Sequence, residues 1–234
     1  RPARWQAPGR RSLSIARARP VVRPRMDALA GKQLRWLALG DSYTIGEAVA
    51  EDARWPVQLA AALRGHGVAI APAQMIACTG WSTDELACAI DASVLTPPCD
   101  LVSLQIGVNN QYRGRSLGEY REQFAGLLVR AIALAGERAG RVLVLSIPDW
   151  GVTPFAASSG RDTAHIAHQI DAFNATACEE CNAHGVAWVD ITPLSRDPGA
   201  QASMLAADGL HPSAAQYALW AAAALPMALR LLRG

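Results

Sequence analysis

DLVSLQIGVNN, residues 100–110, starts as an apolar run over Asp100–Ile106, stops at Gly107 and turns polar at Asn109 and Asn110. A short apolar run bounded by glycine is the pattern of a strand buried on both faces, as in a parallel sheet. Moving outward, similar runs occur at Leu34–Leu39 (LRWLAL), Val68–Ala77, Arg141–Ile147 (RVLVLSI) and Val186–Val189. Between them lie stretches with helical spacing. Arg54–Leu63 places Trp55, Leu59 and Leu63 on one face, and Ser82-Thr83-Asp84-Glu85 forms a capping-box pattern ahead of Leu86–Leu95. Long helices are expected at about 117–139 and 162–184, and Ser213 is placed to cap a last one. Residues 149–161 read as an irregular loop. Five strands alternating with five helices predict an α/β fold of three layers, α/β/α, around a central parallel sheet of about five strands.

In such sheets, sites form beyond the carboxyl ends of the strands. Four polar clusters fall at such ends or in the loop after the last strand: Gly40-Asp41-Ser42, Thr79-Gly80-Trp81, Gly107-Val108-Asn109-Asn110 and Asp208-Gly209-Leu210-His211-Pro212. Acyl transfer needs a nucleophile, a base, a group that fixes the base, and donors for the developing oxyanion. Ser42 leaves a strand end, where its hydroxyl can project into the crevice. Asp208, three residues before His211, can hold the imidazole Nδ1–H and leave Nε2 to face the serine. The backbone N–H groups of Ser42 and Gly80 and the side-chain amide of Asn109 then make three oxyanion donors. The chain contains no G-x-S-x-G elbow, which argues against the common α/β-hydrolase layout.

GDSY at 40–43, TGW at 79–81, GVNN at 107–110 and DGLHP at 208–212 closely resemble the four signature blocks of the SGNH (GDSL-type) hydrolases, in the family's order. The resemblance implies a flavodoxin-like three-layer fold and an esterase or lipase in which Ser42, His211 and Asp208 form the triad. Gly80 and Asn109 match the family's oxyanion residues. SIPDWGVTPFA at 146–156 and NNQYRG at 109–114 further resemble a bacterial subgroup of GDSL-type esterases. Two positions depart from the pattern. Asn110 stands where the family usually has Asp, and Tyr43 replaces the fourth letter of GDSL. Tyr43, Trp81, Asn110, Tyr112 and Trp150 are candidates for contact with substrate, Tyr43 at the pocket floor and Asn110 chiefly as a brace for its loop. Asp41 is expected to hydrogen-bond its own turn.

The implied partner is a small-molecule ester, and the reaction calls for no metal and no organic cofactor. Short acyl chains are expected, because the 34–234 body leaves little room for a large lid. Lysophospholipids and acyl-thioesters are the alternatives within the family, and a non-catalytic acyl- or carbohydrate-binding domain lies outside it. A flavodoxin-like nucleotide binder fits the strand order but lacks a Gly-rich phosphate loop. His165 and His168, at i and i+3, have no well-spaced third ligand and read as a solvated helix face.

The bulk composition agrees with a single catalytic domain. The 234 residues are 51% hydrophobic and 18% charged, with mean hydropathy +0.10. Residues 1–25 hold eight arginines and no acid, which leaves −6 for residues 26–234 out of a total of +2. Residues 1–33 are therefore read as a basic extension expected to be disordered, with Met26 a candidate true start. Trp5 is the only aromatic residue among those arginines, so nucleic-acid binding is unsupported. Five cysteines, an odd number, do not resemble a disulfide framework, and the leader lacks a secretory apolar core. A cytoplasmic location is the resulting expectation. No charge-free run of 18 apolar residues is present, so no membrane span is expected, and Tyr217–Leu232 reads as a terminal amphipathic helix.

Overall fold

The computed structural model describes residues 33–198 and 200–233; the expected disorder of the basic extension lies outside them. Five strands, β1 (Trp36–Gly40), β2 (Gln74–Ala77), β3 (Leu101–Gln105), β4 (Val142–Leu145) and β5 (Ala187–Val189), form one sheet in the order β2-β1-β3-β4-β5. Every neighbouring pair is parallel. The three central strands are buried along their whole length, whereas the edge strands β2 and β5 are only partly covered. The central strands are apolar apart from Ser103 and Gln105, which are paired inside the core.

The helices among the described residues are α1 (Ser42–Ile45), α2 (Trp55–Gly65), α3 (Thr83–Ala92), α4 (Val108–Tyr112), α5 (Leu117–Leu134), α6 (Pro154–Ser158), α7 (Thr163–His184), α8 (Thr192–Arg196) and α9 (Ala214–Arg233). One layer is α2 packed on α9, and the other is α3, α5 and α7 packed in series. Tyr217, Trp220, Ala221, Ala224 and Ala228 form the buried face of α9 at helical spacing. By length and composition α9 could cross a membrane, yet here that face packs on α2 and against β4 and β5. The polar groups of the core are largely paired. The Trp36 indole donates to Ser103 Oγ and the Trp55 indole to Gln105 Oε1, both at 3.0 Å.

Several expected boundaries shift, each for a local reason. The run 68–77 yields a strand only from Gln74, because Pro72 has no N–H for a ladder; Ile70 makes just an isolated bridge with Leu34. The helix expected to reach residue 139 ends at Leu134, where Gly136 and Glu137 both take positive φ. Likewise α3 ends at Ala92, before the Pro97-Pro98 stop, with the Ser93 hydroxyl bonded back to the Ala89 carbonyl. The loop 149–161 is more ordered than expected. It holds a 3-10 turn at Trp150–Val152 and then α6, capped by Thr153 Oγ1, which accepts from Ala156 N–H at 3.2 Å, with Pro154 in the first turn.

Two backbone constraints aim the strand ends. A Cβ on Gly40 would lie 2.6 Å from the Gln105 carbonyl oxygen, so only glycine lets the chain turn from β1 into Asp41 and Ser42 beside β3. Gly107 has φ +132°, and a Cβ there would meet the Tyr120 ring at 2.7 Å. That glycine turns β3 directly into α4, the helix that carries Asn109.

Candidate active site

The ends of β1, β2 and β3, the segment after β4 and the loop before α9 converge on one pocket of about 240 Å³. Its lining comprises Ser42, Tyr43, Thr79, Gly80, Val108, Asn109, Tyr112, Trp150, Phe155, Leu210 and His211. Ser42 is the first residue of α1, behind an Asp41 whose Oδ1 accepts from Tyr43 N–H at 3.0 Å. The Asp41 side chain thus caps the turn that presents the serine, as expected.

The Asp208 loop is built around one carboxylate. Oδ1 accepts from the backbone N–H groups of Leu210 and His211, each at 2.9 Å, and Oδ2 lies 2.7 Å from His211 Nδ1. A carboxylate is an acceptor only, so Nδ1 carries the proton and Nε2 is left as a base. Partial burial works to raise the Asp208 carboxyl, but the hydrogen bonds from the His211 ring and the two N–H groups outweigh it and hold the group below its ordinary range. Beneath the imidazole lies Tyr43, its ring edge-on at 5.7 Å between centroids. Burial first, and then the nearby Asp41 carboxylate, push the Tyr43 hydroxyl above its usual value, so it stays neutral.

Hydrogen-bond donors line the same pocket. Gly80 has φ +86°, and its carbonyl is held by Arg113 Nη2 at 2.7 Å, which fixes the peptide plane. Among the described residues neither the Ser42 nor the Gly80 backbone N–H has a hydrogen-bond partner. Asn109 Nδ2 donates to the Trp81 carbonyl at 2.9 Å, which uses one amide hydrogen and leaves the other. The structure therefore brings Ser42, Gly80, Asn109 and His211 to a single pocket, with Asp208 behind the imidazole.

Of the residues expected to touch substrate, Tyr43, Tyr112 and Trp150 line the pocket; Asn110 and Trp81 do not. Asn110 is fully buried and spans the first turn of α3, accepting from Thr83 N–H at 3.1 Å and donating to Thr83 Oγ1 at 2.6 Å. Its place is that of a brace, because both ends of its amide are already satisfied. Trp81 sits instead on an outer depression with Asp84, Glu85, Cys88 and Ala89. Thr79, Val108, Phe155 and Leu210 were missed as lining residues. All four lie inside the quoted motifs, beside the polar residues that carry the chemical signal.

The far wall is aromatic. Trp150 packs edge-on to Tyr112 at 5.4 Å and to Phe155 at 6.1 Å, and its indole donates to Gln111 Oε1 at 2.8 Å. Asp149, also buried, anchors this wall: Oδ1 accepts from Gly151 N–H and Oδ2 from Arg196 Nε at 2.9 Å. His165 and His168 are exposed on α7, and no group of three or more His, Cys, Asp or Glu side chains among the described residues is arranged to hold a metal.

Asp41 also sets a pH response. It is fully buried and its Oδ2 has no partner among the described residues. Burial pushes its carboxyl up to about 7, against the lowering effect of hydrogen bonds from the Tyr43 and Asp41 N–H groups. A raised carboxyl favours the folded state below the unfolded pKa of 3.8, and this contribution is lost as pH rises through about 7. The full shift corresponds to about 4 kcal/mol as an upper limit. Chemical denaturation between pH 4 and 8 is expected to show stability falling towards pH 7 and then levelling, with the slope flattened in Asp41→Asn. An equal slope in that variant would remove Asp41 as the cause.

Several solved structures share this architecture. The crystal structure of TesA superposes with a TM-score of 0.67 at 19% identity, covering 85% of this chain and 99% of that one. A lipase/acylhydrolase from Enterococcus faecalis gives 0.65 at 21%, covering 86% and 97%. Axe2, an acetylxylan esterase from Geobacillus stearothermophilus, gives 0.64 at 17%, covering 83% and 94%. No curated protein matches the sequence. The profile of the GDSL-like lipase/acylhydrolase family matches residues 38–219, and the chain belongs to that family.

Proposed function

We propose that the protein is a serine esterase that hydrolyses carboxylic esters with short acyl groups. The observation that carries this reading is the Asp208–His211 pair, at 2.7 Å, opening onto the same pocket as Ser42 and Gly80. His211 Nε2 takes the Ser42 proton as Oγ attacks the ester carbonyl carbon. The N–H groups of Ser42 and Gly80 and the Asn109 amide receive the oxyanion. The imidazolium then gives its proton to the leaving alkoxide as the C–O bond breaks. Water, deprotonated by His211, attacks the acyl-serine, and collapse of the second oxyanion returns the Ser42 hydroxyl and releases the acid.

Size supports the short-acyl reading. A pocket of about 240 Å³ lies below the roughly 300–1,000 Å³ usual for larger ligands. The aromatic wall of Tyr112, Trp150 and Phe155 closes one side of it. A neighbour of the same fold, Axe2, is an acetylxylan esterase. With p-nitrophenyl acetate, butyrate and octanoate, kcat/KM is expected to be highest for the two short esters. A clear preference for octanoate would overturn the assignment in favour of a lysophospholipase- or thioesterase-like activity.

A further inference from the structure

We infer that Arg161 is a specificity-determining residue that selects esters bearing a second, anionic group, a carboxylate or a phosphate, a few bonds from the scissile carbonyl. This inference rests on the esterase reading above. The pocket lining carries no fixed charge. Beside it, the exposed Arg161 places its guanidinium carbon 4.1 Å from the centroid of the Tyr112 ring and 5.6 Å from that of Trp150. Its Nη1 donates to the Tyr112 carbonyl at 3.1 Å, so the head group is held over the aromatic wall. No carboxylate among the described residues pairs with it. Neighbouring Asp162 is engaged instead in capping α7, accepting from Ala164 and His165 N–H. Arg113, by contrast, is paired with Glu85.

A negative charge also borders the pocket. Thr79, in the lining, is hydrogen-bonded to the Glu47 carboxylate. An anionic substituent is therefore attracted towards Tyr112 and Trp150 and repelled from Thr79, which orients the ester as well as selecting it. The planar guanidinium, already stacked and tethered, keeps free N–H edges that suit a carboxylate or phosphate.

The test compares matched pairs. On the acyl side these are the p-nitrophenyl esters of pentanoic acid and of succinic acid (monoester). On the alcohol side they are monobutyrylglycerol and its 3-phosphate. Wild type, Arg161→Gln and Arg161→Lys are compared on each pair. The anionic-to-neutral ratio of kcat/KM is expected to fall roughly three- to tenfold in Arg161→Gln for at least one pair, to be largely kept in Arg161→Lys, and to shrink with added salt. The pair that responds tells which side of the ester carries the anion. The same ratio is read as binding of the intact esters to Ser42→Ala protein, with and without Arg161→Gln, which needs no turnover. A ratio unmoved in both pairs, or an equal loss for neutral and anionic members, overturns the inference. Absence of turnover with an Arg161-dependent binding preference would sink only the esterase reading.

Discussion

Replacing His211 by alanine is expected to lower kcat by roughly 10⁵- to 10⁶-fold, with the fold retained. Among the described lining residues, the imidazole is the side chain placed to serve Ser42 as a base. It contributes little to the core beyond its edge contact with Tyr43. Asp208→Asn is expected to cost about 10⁴-fold, because the amide can donate to Nδ1 and so turn the imidazole to the wrong tautomer. Asp208 also accepts the two N–H groups of Leu210 and His211 through Oδ1, and asparagine can still accept these. The loss therefore reads the tautomer and not a collapsed loop. Pre-steady-state release of p-nitrophenol, with circular dichroism on the same samples, checks both variants. A loss below about tenfold for His211→Ala would mean that another base serves Ser42.

Asn109→Ala is the second large effect, expected to lower kcat by about 10²- to 10³-fold with KM little changed. The amide hydrogen not used by the Trp81 carbonyl is left for a substrate oxygen in the pocket that Asn109 lines, and such a bond strengthens as the carbonyl becomes an oxyanion. An interaction that matters mainly in the transition state shows in kcat and not in KM. Steady-state kinetics on p-nitrophenyl acetate separate the two. A raised KM at constant kcat would turn Asn109 into a ground-state binding residue.

The sheet was readable from the sequence because its central strands are buried on both faces. LVSLQ and VLVL leave no room for another reading once glycine, proline and the intervening helices set their lengths. The edges were less legible: β2 is partly exposed, and Pro72 shortens it in a way that apolarity alone hides. The polar half of the site was equally open, since each of its residues follows a strand end or shares one short loop. Asp208 and His211, three residues apart, pair on sequence spacing alone.

The apolar half of the site was legible only in part: Tyr43, Tyr112 and Trp150 stood out in the sequence, whereas Phe155 and Arg161 did not. Tyr112 comes from α4, Trp150 from a 3-10 turn, Phe155 from α6 and Arg161 from the turn before α7, and no periodicity in the sequence links them. Their meeting depends on the fold of 149–161, which is held by the buried Asp149 and its partner Arg196 across 47 positions of chain. Such a wall is set by tertiary packing. The bracing role of Asn110 was readable: its neighbour in sequence lines the pocket, while its own amide turns away to Thr83.

Labelling with an alkyl fluorophosphonate, followed by intact-mass and peptide mass spectrometry, identifies the nucleophile itself. A single adduct is expected on the peptide that contains Ser42, absent in Ser42→Ala and greatly slowed in His211→Ala. An adduct on a different serine, or equal labelling of Ser42→Ala, would contradict the role of Ser42 as nucleophile.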